Sequence, residues 1–64
     1  MNNIELKKER KRLGLSIRQL SQLTGYSGVW ISHFEFGEKR VSTKFIQAYE
    51  EALASYRNIL KKGK

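Results

Sequence analysis

Three glycines divide the first 37 residues of this 64-residue chain into short segments, and the chain has no proline. Each glycine follows a helix-forming segment: Gly14 after 4–13, Gly25 after 16–24 and Gly37 after 28–35. Glycine just past a helix is a typical C-terminal stop, because it accepts the left-handed backbone conformation at little cost. Ser16 and Ser27 begin two of these segments as good N-caps. The pattern predicts short helices joined by glycine turns.

The size of the chain limits it to one domain, residues 1–64. A chain of this length buries only about 60% of the surface that its unfolded form exposes, so its stability margin is thin. It is also too short for a two-lobed enzyme with a deep cleft. It has no cysteine and a single histidine. Disulfide scaffolds and thiolate metal sites are therefore excluded, and we expect neither a metal nor another cofactor.

Apolar residues recur at helical spacing in every segment, which predicts an all-α fold. The predicted inward-facing residues are Ile4, Leu6 and Leu13 in 4–13, Ile17, Leu20 and Leu23 in 16–24, and Ile31 and Phe34 in 28–35. The segment 43–54 has the clearest amphipathic pattern, with Phe45, Ile46, Tyr49, Ala52 and Leu53 on one face. A last segment, 55–62, places Tyr56, Ile59 and Leu60 on one side. The pattern gives five short helices.

The charge is strongly basic, with 13 Lys and Arg against 6 Asp and Glu, a formal net charge of +7. On a small folded domain this balance favours a polyanionic partner. The apolar runs are too short for a membrane span, and the N-terminus lacks the apolar core of a signal peptide. We therefore expect a cytoplasmic protein with no membrane partner.

The segments 16–24 and 27–35, separated by Gly25-Tyr26, are typical of a helix-turn-helix unit spanning 16–35. If Ile31 and Phe34 face the core, the other side of the second helix is left outside. A helix of this kind fits the major groove of DNA.

The residues Leu13-Gly14-Leu15-Ser16, Leu20, Gly25-Tyr26-Ser27, Ile31-Ser32, Phe34-Glu35 and Gly37 resemble the Cro/CI (XRE) family of phage-repressor-type DNA-binding domains. The resemblance covers residues from about 6 to 53. It implies a compact, lambda-repressor-like bundle of five helices that binds double-stranded operator DNA as a two-fold homodimer in the cytoplasm of a bacterium. It also implies a structural ion pair between Arg10 and Glu35.

The resemblance further assigns roles to residues of the helix-turn-helix unit and its flanks. Base reading is expected of Ser27, Gly28, Val29, Ser32 and His33. Contacts to the DNA backbone are expected of Ser16, Ile17, Arg18, Trp30, Lys39, Arg40 and Lys44. Many relatives carry Gln, Asn or Arg at the positions of Gly28 and Val29, so this chain has fewer side chains that can hydrogen-bond to bases. We therefore expect DNA shape to contribute more to its sequence preference.

Some side chains have two interpretations from the sequence. Trp30 either leans on a sugar-phosphate strand or packs in the core. Phe36 either packs under the following loop or meets a sugar or a partner. Tyr56, Ile59 and Leu60 either cap the core or form a self-complementary dimer patch, which the resemblance favours.

The leading functional interpretation is a transcriptional repressor of a phage or mobile element, with an unidentified protein modulator as an option. An excision or recombination accessory protein, or an antitoxin-like protein, is the alternative that keeps DNA as the partner. A basic membrane-surface or protein-interaction module is the third, suggested by the segment 55–62. An enzyme is not expected, because the chain shows no paired acids, nucleophile–base set or phosphate-cradling glycine loop.

Overall fold

The computed structural model describes residues 2–38 and 40–62. This part of the chain contains helices and no strand: α1 (Asn3–Arg12), α2 (Ile17–Thr24), α3 (Gly28–Glu35) and α4 (Thr43–Lys62). The all-helical class predicted from the sequence is confirmed, and the first three predicted segments agree with α1, α2 and α3 to within one residue.

The structure corrects the expected number of helices from five to four within the described residues. The segments 43–54 and 55–62 form the single helix α4. No glycine or proline interrupts residues 43–62, so nothing breaks the ladder of backbone hydrogen bonds at Ser55. The buried residues Ala52 and Leu53 are followed by half-buried Tyr56, which continues the same apolar stripe past this point.

Side chains cap the start of each of the first three helices. Ser16 and Ser27 are N-caps as predicted, and their side chains accept hydrogen bonds from the backbone N–H groups of Gln19 and Trp30. Asn2 caps α1 in a reciprocal arrangement with Glu5, which sequence reasoning did not anticipate. These caps satisfy N–H groups that have no carbonyl partner inside their helix, and each is worth about 1 kcal/mol.

The core is apolar and draws on all four helices. Its buried members are Leu6, Leu15, Leu20, Ile31, Phe34, Phe45, Tyr49, Ala52 and Leu53. The ring of Phe45 on α4 lies at the centre of an aromatic cluster, 4.7 Å from the ring of Tyr26 and 5.0 Å from that of Phe34, both edge-on. Through these contacts α4 supports the turn between α2 and α3 and the inner side of α3 at the same time.

Two residues predicted to face the core lie at the surface instead. Ile4 is 59% exposed and Leu23 is 48% exposed. Leu6 is buried, and Ile4 lies two residues earlier on α1, about 200° around the helix, so both cannot face the core. Leu23 lies in the last turn of α2, beside a groove that Ala48, Glu51, Ala52 and Ser55 of α4 line without covering it.

Candidate nucleic-acid interface

The turn between α2 and α3 is fixed by one glycine and three side-chain hydrogen bonds. Gly25 has a φ of 81°, and its N–H donates to the carbonyl of Ser21. Only glycine adopts this left-handed conformation without strain, so the chain turns sharply here. Thr24 Oγ1 donates to the Leu20 carbonyl and accepts from the Tyr26 N–H, and Ser21 Oγ donates to the Tyr26 carbonyl at 2.6 Å. The direction in which α3 leaves α2 is therefore well defined.

The inner side of α3 is buried against the rest of the domain. Ile31, Phe34 and Glu35 are all buried. The Phe34 ring contacts the rings of Phe45 and Tyr49 on α4, with centroids 5.0 and 5.7 Å apart. These contacts hold α3 by one side and leave its other side uncovered.

The opposite side of α3 carries the residues that were predicted to read bases, and we call this set the outer face: Ser27, Gly28, Val29, Ser32 and His33. Val29 is 69% exposed. His33 follows one turn later on the same side and is also exposed, as is Ser27. Ser32 and Gly28 are half-buried, and a Cβ at Gly28 would lie 3.4 Å from Ile17 Cγ2. This is an ordinary contact distance, so the packing of α3 against α2 does not require a glycine at this position.

His33 has a partner that sequence reasoning missed. Its Nδ1 lies 2.7 Å from Oε1 of Glu38, in the loop after α3. Both side chains are about half exposed. The available signal was Gly37, because a glycine that ends a helix in this way places the following residue beside the last turn.

The residues predicted to contact the DNA backbone fall into three groups. Ser16, Arg18, Arg40 and Lys44 are exposed. Ile17 and Trp30 are half-buried and pack against the core, and the Trp30 ring centroid lies 6.4 Å from that of Phe45. Lys39 lies outside the described residues.

Arg10 and Glu35 form a buried ion pair that joins α1 to the end of α3. Arg10 Nε donates to Glu35 Oε2 at 2.7 Å, and Arg10 Nη2 donates to Oε1 at 3.0 Å. The side chains are only 8% and 2% exposed. Burial lowers the pKa of the Arg10 guanidinium, but the hydrogen bonds and the charge of Glu35 outweigh burial, so its pKa is raised.

The ion pair is part of a larger polar network. Tyr49 on α4 donates its hydroxyl to Glu35 Oε2 at 2.6 Å, and Arg10 Nη1 donates to the Leu15 carbonyl at 2.7 Å. Burial and then the Glu35 carboxylate raise the pKa of the Tyr49 phenol. The charges are thus paired and hydrogen-bonded inside the domain, and this arrangement fixes α3 rather than performing chemistry. Sequence reasoning missed Tyr49, which was counted only as an apolar core residue.

The family model of the helix-turn-helix domain matches residues 4–55. The chain belongs to the helix-turn-helix domain family. This domain is found in XRE-type DNA-binding proteins and is a non-enzymatic kind of domain. Neither the curated proteins nor the solved structures give a significant match.

The helix-turn-helix domain exposes further apolar side chains besides Val29. Phe36 is exposed beside the end of α3, and Lys7 Nζ lies 4.5 Å from the centroid of its ring. At the end of α4, Ile59 and Leu60 are exposed, whereas Tyr56 is half-buried against the core. The apolar patch considered for dimerisation is therefore formed mainly by Ile59 and Leu60.

Two other kinds of site are not found in the part of the domain that the structure describes. Among residues 2–38 and 40–62, no three His, Asp or Glu side chains form a group that could hold a metal ion. No helix in these ranges combines the length and apolar character needed to cross a membrane.

Proposed function

We propose that this domain is a sequence-specific transcriptional regulator that binds double-stranded operator DNA through the major groove, as a repressor of the phage or mobile-element type. The observation that carries the proposal is the two-sided character of α3. Ile31 and Phe34 are buried, while Val29 and His33, one helical turn apart, are exposed on the opposite side. A short helix held by one side and free on the other is suited to insertion into a groove about 12 Å wide.

The exposed side chains of the outer face offer a small set of base contacts. Val29 presents two methyl groups, which suit the C5 methyl of thymine. His33 supplies ring nitrogens for one hydrogen bond with a base edge. Ser27 uses its oxygen to cap α3, which leaves the hydroxyl proton as a donor. With so few polar groups, sequence preference at other positions comes from the shape and deformability of the duplex.

Exposed basic side chains on the elements before and after α3 are suited to phosphates. Arg18 lies in the first turn of α2, and Arg40 and Lys44 lie in the loop after α3 and at the start of α4; all three are exposed. The first-turn amides of α2 add a partial positive charge at the helix end. Such contacts set the position of the domain on the duplex without reading sequence.

The dimer is proposed to form through the end of α4. Ile59 and Leu60 are large apolar residues left at the surface, and Tyr56 borders them. A two-fold contact would use the same patch on both copies and would present two outer faces to one side of the DNA. A bound dimer then acts as a repressor by occupying its operator and excluding other proteins.

In vitro selection from a random duplex pool tests the proposal. The selected motif is expected to be a palindrome with half-site centres about 10 base pairs apart, one helical turn. With about six to ten phosphates neutralised per dimer, affinity for this motif should fall roughly 10³- to 10⁵-fold between about 50 and 200 mM salt.

His33→Ala, run in the same selection, is expected to remove the preference at one position per half-site and to keep the spacing. Two results would contradict the proposal: no enriched motif, or affinity that does not change with salt. Single half-sites with the expected salt dependence would remove only the dimer.

A further inference from the structure

The pair formed by His33 and Glu38 is built by the backbone at the end of α3. The N–H of Gly37 donates to the Phe34 carbonyl and that of Glu38 donates to the His33 carbonyl, each at 3.0 Å. Gly37 has a φ of 75°. These are the two hydrogen bonds and the left-handed glycine of a Schellman motif, which brings the side chains of the two outer positions together. Here those positions are His33 and Glu38.

The short contact between the two side chains determines where the histidine proton lies. Glu38 Oε1 is 2.7 Å from Nδ1 of His33. An ionised carboxylate has acceptor sites only, so the proton in this hydrogen bond belongs to Nδ1. In the neutral imidazole the second nitrogen, Nε2, then carries a lone pair and accepts hydrogen bonds.

We propose that Glu38 is a positioning residue that determines which bases His33 reads. While the imidazole is neutral, Glu38 holds its proton on Nδ1 and leaves Nε2 as an acceptor, which selects cytosine or adenine at the contacted position and disfavours guanine and thymine. The proposal rests on the proposed function, in which the outer face of α3 meets base edges.

The selection follows from the groups that bases display in the major groove. Cytosine N4 and adenine N6 are amino donors, whereas guanine O6 and thymine O4 are acceptors that would face the Nε2 lone pair. One net hydrogen bond corresponds to a preference of about fivefold for amino over keto bases. Glu38 also adds a negative charge near the phosphates, so it lowers affinity for all duplexes while it sharpens the choice among them.

The tautomer is measurable in the free protein. The chain has a single histidine, so the imidazole nitrogens of a ¹⁵N-labelled sample are assigned to His33 without ambiguity. The comparison is made at about pH 9, where imidazole side chains are ordinarily neutral. We expect Nδ1 to carry the proton in the unmodified protein, and the proton to shift to Nε2 in a large fraction of Glu38→Ala.

The effect on base recognition is measured at about pH 9 with four duplexes. These duplexes differ only at the position where His33→Ala loses its base preference. The unmodified protein should prefer the amino bases by about fivefold. In Glu38→Ala this preference should fall to less than about twofold, a loss of at least half of the free-energy difference between amino and keto bases. The same variant should bind all four duplexes more tightly than the unmodified protein. Glu51→Ala is the matched control, because it removes the same charge from an exposed position on α4 and should keep the amino preference.

Different results overturn different parts of the account. An unmodified protein that carries the proton on Nε2 overturns the proposal, as does an amino preference that survives in Glu38→Ala. A domain that binds no duplex under any condition overturns the proposed function. Because the tautomer is measured in the free protein, it shows whether Glu38 holds the proton on Nδ1 even if no duplex binds.

Discussion

Glu35 and Glu38 lie three residues apart, on either side of the end of α3, and their surroundings are opposite. Glu35 is buried, accepts two hydrogen bonds from Arg10 and a third from Tyr49, and joins three helices. Glu38 is exposed, and its carboxylate contacts the side chain of His33. Gly37, between them, reverses the backbone so that one carboxylate points inward and the other lies at the surface.

This difference separates stability from recognition within a single turn. A buried charge that loses its partner costs far more than an exposed one, because water cannot replace the missing contact. Glu35 therefore maintains the position of α3, whereas Glu38 is free to influence what the outer face of α3 binds. Changes at the two residues should consequently appear in different measurements.

The largest expected effect is the loss of stability when the buried pair is broken. Glu35→Ala and Arg10→Ala should each lower the free energy of unfolding by about 3–5 kcal/mol, since each leaves a buried charge without its partner. Glu38→Ala is the matched control and should stay within about 0.5 kcal/mol of the unmodified protein. Thermal melts followed by circular dichroism measure all three. Equal melting temperatures for Glu35→Ala and Glu38→Ala would contradict the claim that Glu35 contributes far more to stability than Glu38.

The next effect concerns the hydroxyl of Tyr49. Tyr49→Phe should lower the free energy of unfolding by about 2 kcal/mol at neutral pH, the size of a hydrogen bond to a charged acceptor. Burial and the Glu35 carboxylate raise the pKa of Tyr49 above its ordinary value of 10.0. Below pH 10 both folded and unfolded states keep the proton; above it the unfolded state loses the proton first, so stability falls as pH rises.

Tyr49→Phe lacks this titration. The difference in free energy of unfolding between the unmodified protein and Tyr49→Phe should therefore be about 1.4 kcal/mol smaller at pH 11 than at pH 7. Chemical denaturation of both proteins at a series of pH values measures this difference, which we call the stability gap. A gap that stays constant from pH 7 to pH 11 would show that the phenol is not shielded in the folded state.

The sequence predicted the parts of this structure that depend on neighbouring residues. Ser16, Ser27 and Gly25 act within a few residues of themselves, so the ends of α2 and α3 were placed correctly. The number of helices was wrong because 43–54 and 55–62 were treated as two segments, although no glycine or proline separates them. Leu23 was misplaced because helical spacing gives a face but does not show how much of that face the neighbouring helix covers.

The polar contacts of the site depended more on tertiary structure. The pairing of Arg10 with Glu35 came from the family resemblance, and the part played by Tyr49 could not be seen because its hydroxyl meets Glu35 only after α4 has packed. His33 and Glu38 are different, since a helix end at Phe36-Gly37 already implies that residues 33 and 38 meet. That contact could have been predicted from the sequence.

The account depends most on the claim that duplex DNA binds to the outer face of α3. Val29→Glu tests it directly, because a negative charge at this exposed position would face the phosphates and base edges, where like charges repel. Ile4→Glu makes the same change at an exposed apolar position on α1 and serves as the control. Measured on the selected duplex at fixed salt, Val29→Glu should weaken binding by at least about tenfold, or 1.4 kcal/mol, and Ile4→Glu should change it by less than about twofold. Equal affinities for the two variants, with both domains folded, would contradict the account.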